Sequence, residues 1–302
     1  MKISSRLLPP PLRLMRPHHW VKSGFVAAPL FFTPEAVTPQ NVFLVALGFL
    51  AWSFLASAVY ILNDWKDREA DRKHPVKCQR PLAAGTVSET TALVLLAILT
   101  VVGSGLAVYL GLGFTFCLGL YIIINLAYSI RLKHVAIIDV MCIAMGFVLR
   151  VLAGSQIIGV TPSPWIIILT GLLALFLGFA KRRDDIVRDL GQDHRKALDG
   201  YSRNFIDTVL AITLGTSLVS YLIYTTDIEV RTRLHSDHLY YTAPFVIFAM
   251  LRYLQITMVK ERSGSPTLIV LTDKPILFSG ICWMITFASL IYKNDFLTWW
   301  MS

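Results

Sequence analysis

Residues 41–71 read NVFLVALGFLAWSFLASAVYILNDWKDREAD, and the change of character within this stretch decides the fold. Residues 41–62 carry no charged side chain. They are long enough for a helix to cross the hydrocarbon core of a bilayer, which takes about 20 residues. The chain then becomes strongly charged between Asn63 and Asp71. The stretch therefore predicts a membrane-spanning helix that ends in acidic side chains at the membrane surface.

Apolar runs of similar length recur along the rest of the chain, in which hydrophobic residues make up 55% of the total. We identify nine runs in all, at residues 18–33, 41–62, 89–110, 112–130, 135–158, 163–181, 204–226, 239–258 and 275–292. Backbone amides inside hydrocarbon must be hydrogen-bonded within their own segment, and no barrel-like alternation is visible, so each run is expected to be a helix. We predict an all-α, polytopic membrane protein whose single transmembrane domain covers residues 1–302.

Lys and Arg residues are distributed unevenly between the predicted loops, and they normally collect on the cytoplasmic side. With nine spans, 24 of the 28 Lys and Arg residues belong to the N-terminus and the loops on its side of the membrane. Arg231, Arg233 and Lys293 lie on the opposite side, and Arg150 lies within a span. We therefore predict a multi-pass protein of the inner (plasma) membrane. Its short N-terminal segment, 1–16, and the central cavity of its helix bundle face the cytoplasm, and its C-terminus does not.

Composition argues against two other classes of protein. The formal net charge of +9 would suit nucleic-acid binding, but a membrane-proximal basic face explains it and no nucleic-acid motif accompanies it. The cysteines form no Cys-x-x-Cys pair, so neither a zinc site nor a disulfide framework is expected from Cys78, Cys117, Cys142 and Cys282.

The charged end of the 41–62 helix has side chains that suit a magnesium site. Asn63, Asp67 and Asp71 are spaced by four and share one face if the helix continues. Their oxygen atoms suit a hard divalent cation that keeps waters and bridges phosphate oxygens. Lys77 and Arg80 follow, so phosphate-binding cations lie next to the metal ligands in sequence. The alternative is a charged helix end in which the aspartates pair with neighbouring basic residues, namely Lys66, Arg68, Arg72 and Lys73.

A second charged cluster follows the sixth apolar run. It consists of Lys181-Arg182-Arg183-Asp184-Asp185 and continues through Asp189 to Arg195, Lys196 and Tyr201. The two clusters follow apolar helices four spans apart, which suggests an internal pseudo-repeat with two half-sites facing one cavity. The alternative is a basic anchor of the kind found in cytoplasmic loops.

These residues resemble the UbiA-type membrane prenyltransferase superfamily, whose members have nine transmembrane helices and Asp-rich segments after the second and the sixth. Asn63-Asp64-x-x-Asp67-x-x-x-Asp71 is similar to the first of those segments. Within the superfamily, the closer resemblance is to the decaprenyl-phosphate phosphoribosyltransferases. It is carried by Arg16-Pro17-x-x-Trp20-Val21-Lys22, His74-Pro75-x-Lys77-x-x-Arg80-Pro81, Leu132-Lys133-His134, Arg150-x-x-Ala153-Gly154, and Lys181-Arg182-x-x-Asp185 with Arg195-Lys196 and Tyr201.

This resemblance implies a magnesium-dependent transfer of 5-phosphoribose from 5-phosphoribosyl 1-diphosphate to a polyprenyl phosphate, with release of diphosphate. The reaction would be a step toward a lipid-linked arabinose donor for cell-envelope glycans. The implied partners are these two substrates, Mg2+ and the lipid bilayer, and a homo-oligomer is left open. The acceptor phosphate is already anionic, so no general base is needed, and attack opposite the leaving group would invert the anomeric centre from α to β.

The resemblance also implies roles for individual residues. Asn63 and Asp67 are expected to bind Mg2+, and Asp64, Asp67 and Asp71 are expected to be catalytic. Substrate is expected to contact Lys22, Tyr60, Lys77, Arg80, Lys133, Arg150, Lys181, Arg182, Asp185 and Tyr201. A charge as deep in a span as Arg150 is costly without a partner, so we interpret it as a phosphate ligand; the alternative is an ion pair with Asp139 or another intramembrane acid.

Two other functions compete with this interpretation. An aromatic-acceptor prenyltransferase would share the magnesium site but use a prenyl diphosphate donor and an acceptor such as 4-hydroxybenzoate. Such enzymes usually carry a Tyr-Ala-x-x-Asp-x-x-Asp type second segment, which this chain lacks. The phosphoribosyltransferase pattern has Glu where this chain has Asp185, which keeps the charge but shortens its reach. A transporter or scaffold would not need carboxylates and Lys/Arg residues at two helix ends.

Overall fold

The computed structural model describes residues 8–74, 77–187, 196–260 and 266–292, and all regular structure in these ranges is helical, which confirms the all-α prediction. The α-helices are α1 (Pro10–Leu14), α2 (Ala28–Phe31), α3 (Pro39–Lys66), α4 (Arg68–Lys73), α5 (Glu89–Tyr109), α6 (Leu112–Ile130), α7 (Ile138–Ile158), α8 (Pro164–Val187), α9 (Arg203–Thr226), α10 (Ile228–Arg233), α11 (Ala243–Met258), α12 (Pro266–Thr272) and α13 (Lys274–Ile291). Shorter 3-10 helices lie at Pro17–Ala27, Pro34–Ala36, Lys77–Gln79, Leu132–His134, Lys196–Gly200 and Leu239–Thr242.

Four of the long helices begin at a polar side chain that caps the first turn. Each cap accepts a hydrogen bond from the backbone N–H three residues later, and the caps of α3, α5, α9 and α13 are Thr38, Ser88, Ser202 and Asp273. These bonds satisfy amides that have no acceptor inside the helix. Local sequence therefore determines where these four helices start.

Seven of the described helices are long and apolar enough to cross a membrane, namely α3, α5, α6, α7, α8, α9 and α13. The chain is accordingly a multi-pass integral membrane protein, but the predicted count of nine spans is not confirmed. Residues 18–33 instead form most of the 3-10 helix Pro17–Ala27 and the short α2, and Pro29 inside the run lacks the N–H that a continuous α-helix uses. Residues 239–258 form a 3-10 helix followed by α11, which has 16 residues.

The described residues of Met1–Ile130 together with Leu149–Pro162 form one compact unit. Helices α3 and α5 approach closely, since a Cβ on Gly103 would lie 2.8 Å from Cγ of Leu55. The 3-10 helix Pro17–Ala27 packs on the second half of α7, where a Cβ on Gly154 would lie 2.0 Å from the carbonyl oxygen of Val26. Glycine at this position therefore allows the N-terminal segment to lie against α7.

Arg131–Val148 and the described residues of Ser163–Ser302 form a second compact unit. Its core is formed mainly by apolar side chains from α8, α9 and α11, and it also includes Val140 of α7, Ile276 of α13, and Leu198 and Tyr201 before α9. A Cβ on Gly178 would lie 2.6 Å from Cγ1 of Val140, so α8 and the start of α7 are in close contact. This packing places the charged end of α8 beside the first turns of α7.

Candidate active site

The acidic segment after α3 forms a compact ion-pair cluster in the first unit. Asp64 and Asp71 are both almost fully buried. Nη1 of Arg80 lies 3.1 Å from Oδ1 of Asp64 and 2.7 Å from Oδ2 of Asp71, so it bridges the two carboxylates. Nη2 of Arg16 lies 2.7 Å from Oδ1 of Asp64. Two of the three predicted catalytic aspartates are thus brought together and neutralised by arginine side chains.

Asp67 differs from these two aspartates. Helix α3 ends just before it, although its N–H donates to the carbonyl of Asn63 and its own carbonyl accepts the N–H of Asp71. Asp67 is exposed, Asn63 is half-buried and Asp71 is buried. The three side chains therefore differ in their access to solvent. Among the residues that the structure describes, the Asp67 carboxylate makes no ion pair or side-chain hydrogen bond.

The two arginines that follow Asp67 in the sequence pair with glutamates. Arg68 binds both Glu69 and Glu89, and Arg72 binds Glu69. The described ranges contain no group of three or more His, Cys, Asp or Glu that could hold a metal ion. Magnesium needs only one or two carboxylates from a protein when substrate phosphates and waters complete its shell. The oxygen donors of Asn63 and Asp67 therefore fit a magnesium ion that arrives with a diphosphate.

The N-terminal segment is tied to α3 next to this cluster. The indole Nε1 of Trp20 donates to Oγ of Ser57 at 3.0 Å, and that hydroxyl donates to the carbonyl of Met15 at 2.8 Å. Arg16 has a φ of 51° and holds its guanidinium 5.0 Å above the ring of Tyr60. Tyr60 is half-buried beneath it. Arg16 is therefore fixed by both backbone and side chain between Asp64 and Tyr60.

Arg150 lies in the middle of α7, as the sequence predicted, and is buried. Its Nη2 donates to the hydroxyl of Tyr121 at 3.2 Å, and its guanidinium carbon lies 4.6 Å from the centre of the Tyr121 ring. The Trp52 ring centre lies 5.3 Å away. Cation–π contacts of this kind offset part of the cost of burying a charge. Lys22 and Lys77 are half-buried in the same unit.

The second charged cluster is organised around a fully buried carboxylate in the second unit. Nε of Arg182 donates to Oδ2 of Asp139 at 2.6 Å, and its Nη1 donates to Oδ2 of Asp185 at 2.8 Å. The hydroxyl of Tyr201 donates to Oδ1 of Asp139 at 2.7 Å and accepts the N–H of Ile137 at 2.5 Å. Burial and the hydrogen bond to Asp139 raise the pKa of Tyr201 above its ordinary value.

Other predicted residues of the second cluster have different surroundings. Lys133 and Lys181 are half-buried. Arg183 is buried, and it donates to Asp207 at 2.6 Å and to the carbonyl of Thr257 at 2.8 Å. Its side chain therefore connects α8 to α9 and α11. Three predicted positions cannot be placed: Asp189 and Arg195 lie outside the described residues, as does the side chain of Lys196.

The sequence from residue 23 to 267 matches the UbiA prenyltransferase family. The chain belongs to this family. It is similar to the Decaprenyl-phosphate phosphoribosyltransferase of Corynebacterium glutamicum, with 30% identity over 93% of this chain and 86% of that protein. The protein of the same name from Mycolicibacterium smegmatis is 28% identical over 93% of this chain and 92% of its own length. The predicted resemblance is confirmed, and the protein is a membrane transferase of the UbiA superfamily.

Solved structures support the UbiA fold. A UbiA homolog from Archaeoglobus fulgidus bound to GPP and Mg2+ has a TM-score of 0.67 and 22% identity, and the match covers 93% of this chain and 99% of that one. An apo UbiA homolog from Aeropyrum pernix K1 has a TM-score of 0.57 and 16% identity, over 90% of this chain and 97% of that one. At these identities the likeness shows the fold alone.

Each of the two clusters also contains a residue that was not among the predicted site residues. Arg16, the first residue of the Arg16-Pro17 motif, binds the predicted catalytic Asp64. Asp139 is the acid that the sequence offers as an alternative partner for Arg150, but its two oxygens accept hydrogen bonds from Arg182 and Tyr201. The signal for Asp139 was a lone acid at the start of an apolar run, which is rare in a membrane helix without a partner.

Proposed function

We propose that this UbiA-family protein transfers 5-phosphoribose from 5-phosphoribosyl 1-diphosphate to a polyprenyl phosphate and releases diphosphate. The observation that carries the proposal is the 30% identity, over 93% of the chain, to the Decaprenyl-phosphate phosphoribosyltransferase of Corynebacterium glutamicum. The inventory of buried and half-buried cations supports it, because the two substrates bring three anionic groups to one reaction. The product would serve as a precursor of a lipid-linked arabinose donor for cell-envelope glycans.

Asn63 and Asp67 are the residues that would hold magnesium. Their oxygen atoms are not committed to an ion pair within the described part of the chain, in contrast to Asp64 and Asp71. When bound, magnesium supplies neutralisation of the charge that develops on the leaving diphosphate. Arg80 binds the two buried aspartates of the same acidic segment, and in this proposal it would also bind diphosphate oxygens.

The remaining cations would bind and orient phosphates. Arg150 is held by Tyr121 and Trp52, so its guanidinium would present a fixed geometry to a phosphate. Lys77 and Lys133 are half-buried and supply further charge. Because the acceptor phosphate is already anionic at neutral pH, none of these residues has to remove a proton from it. Attack opposite the diphosphate inverts the ribose anomeric centre from α to β.

We also propose that residues 1–302 act as a single domain, with the N-terminus and both charged clusters on the cytoplasmic side of the inner membrane. The distribution of Lys and Arg supports this orientation. The donor is water-soluble, whereas the polyprenyl tail is confined to the bilayer. A site at the cytoplasmic interface is one that both substrates can reach.

A two-donor assay tests the proposed function. We expect purified protein with magnesium, labelled 5-phosphoribosyl 1-diphosphate and a polyprenyl phosphate to yield a labelled product that extracts into organic solvent. A parallel reaction with labelled prenyl diphosphate and 4-hydroxybenzoate should yield none. Product in the second reaction alone would show an aromatic-acceptor prenyltransferase and would refute the proposal.

Replacing Lys133 with Ala should raise the KM for 5-phosphoribosyl 1-diphosphate about tenfold, because one charge-assisted contact with phosphate is lost. The measurement is initial rate against donor concentration at saturating acceptor. Arg131→Ala is the matched control, since it removes an exposed cation only two residues away and should leave the KM unchanged. Equal increases in KM for the two variants would show that donor binding depends on the total positive charge of this segment and not on Lys133 itself.

A further inference from the structure

A strained turn connects the 3-10 helix that contains Lys133 to α7. The N–H of Ile138 donates to the carbonyl of Ala136 at 2.8 Å, which closes a three-residue turn centred on Ile137. Ile137 has a φ of 69°, a left-handed conformation that is unfavourable for a β-branched residue. Such a turn persists only where surrounding groups hold it.

Two residues before α9 hold this turn. The Tyr201 hydroxyl accepts a hydrogen bond from the N–H of Ile137 and donates its own proton to Asp139, so both of these bonds are made inside the protein. Gly200 lies so close to the turn that a Cβ added to it would approach Cβ of Ala136 to 2.6 Å. Tyr201 is buried, where a hydrogen bond is stronger than in water. The turn is therefore held by a close backbone approach and by a buried hydroxyl.

We propose that Gly200 and Tyr201 position Lys133 for the donor phosphate by holding the Ile137 turn. Lys133 lies in the 3-10 helix Leu132–His134, and the chain leaves that helix through this turn. Tyr201 is then a positioning residue rather than a substrate ligand. The inference rests on the proposed function, in which Lys133 binds a phosphate of the donor.

Hydrogen–deuterium exchange of the full chain in detergent tests the turn without reference to activity. In Tyr201→Phe the Ile137 amide loses its acceptor, and we expect peptides covering residues 135–139 to exchange about tenfold faster. Tyr253→Phe is the matched control, because Tyr253 is 3% exposed in the same unit and its hydroxyl has no hydrogen-bond partner among the described residues. Unchanged exchange in Tyr201→Phe, or an equal increase in Tyr253→Phe, would overturn the role given to Tyr201.

A double-mutant cycle tests whether the turn acts through Lys133. Tyr201→Phe should raise the KM for 5-phosphoribosyl 1-diphosphate about fivefold and leave kcat within about twofold. In a Lys133→Ala background the same change should add less than about twofold, since the side chain that it positions is gone. Full additivity would show that Tyr201 acts independently of Lys133 and would overturn the proposal.

The conformation of Ile137 allows a rescue experiment. Glycine adopts positive φ without steric cost, so Ile137→Gly should make the turn less dependent on the Tyr201 hydroxyl. Adding Ile137→Gly to Tyr201→Phe should return the KM to within about twofold of wild type. If the double variant has the same raised KM as Tyr201→Phe alone, then Tyr201 does not act on donor binding through the Ile137 turn. If wild-type protein transfers a prenyl group instead, the proposed function fails, and the exchange experiment still decides whether Tyr201 holds the turn.

Discussion

Asp67→Asn is expected to lower turnover at least about 100-fold and to leave the thermal stability of the protein unchanged. Asp67 is exposed, and its carboxylate has no ion-pair partner among the described residues, so the fold does not depend on its charge. Asparagine keeps the shape of the side chain but is a much weaker ligand for magnesium than a carboxylate. Initial rates over a magnesium titration and a melting curve in detergent measure the two effects separately.

The control for this variant removes the same charge from the same segment. Glu69→Gln replaces a side chain that is 68% exposed and pairs with Arg68 and Arg72 at the surface, where such pairs contribute about 1 kcal/mol or less. It should keep nearly wild-type turnover. Wild-type rates from Asp67→Asn at saturating magnesium would contradict the metal assignment. Asp64→Asn is a poorer probe, because its carboxylate is buried against two arginines and its loss should reduce stability as well as turnover.

The acidic segment shows how much of the site could be predicted from sequence. The residues from Asn63 to Asp71 follow an uncharged run, so their place at a helix end could be derived from composition and helical spacing. Their partners could not, because Arg16 lies 48 residues before Asp64 in the chain. Only the folded arrangement of the N-terminal segment on α3 determines which cation meets which acid. For that reason two aspartates predicted alike as catalytic groups, Asp64 and Asp67, have opposite surroundings.

Hydropathy alone could not fix the span count, and local preference could not predict the Ile137 turn, for different physical reasons. Hydropathy measures how apolar a segment is, and it cannot distinguish the 3-10 helix Pro17–Ala27 from an α-helix that crosses the membrane. Isoleucine disfavours positive φ, so local preference predicts the wrong conformation at Ile137. Contacts from Tyr201 and Gly200, more than 60 residues later, override that preference.

Arg182→Ala is expected to destabilise the protein by about 3 kcal/mol, because it leaves a buried carboxylate without its cation. The side chains of Arg182 and Asp139 are 1% and 0% exposed, and the ion pair joins α8 to the start of α7. Arg182 also binds Asp185 at 2.8 Å, so a single substitution removes both contacts. Melting temperature in detergent is the measurement, and Arg231→Ala is the control, since its partner Asp237 is 71% exposed and the pair should contribute less than about 1 kcal/mol.

Removing the Asp139 carboxylate that Arg182→Ala leaves unpaired should restore part of the stability. Asp139→Asn combined with Arg182→Met replaces the buried pair by an amide and an apolar side chain of similar length, and it should melt above Arg182→Ala. That order would show that the main cost of Arg182→Ala is the uncompensated carboxylate of Asp139. If Arg182→Ala instead melts like wild type and raises only the KM for the donor, then Arg182 binds substrate, as the sequence predicted, and its ion pair with Asp139 does not hold α7 and α8 together.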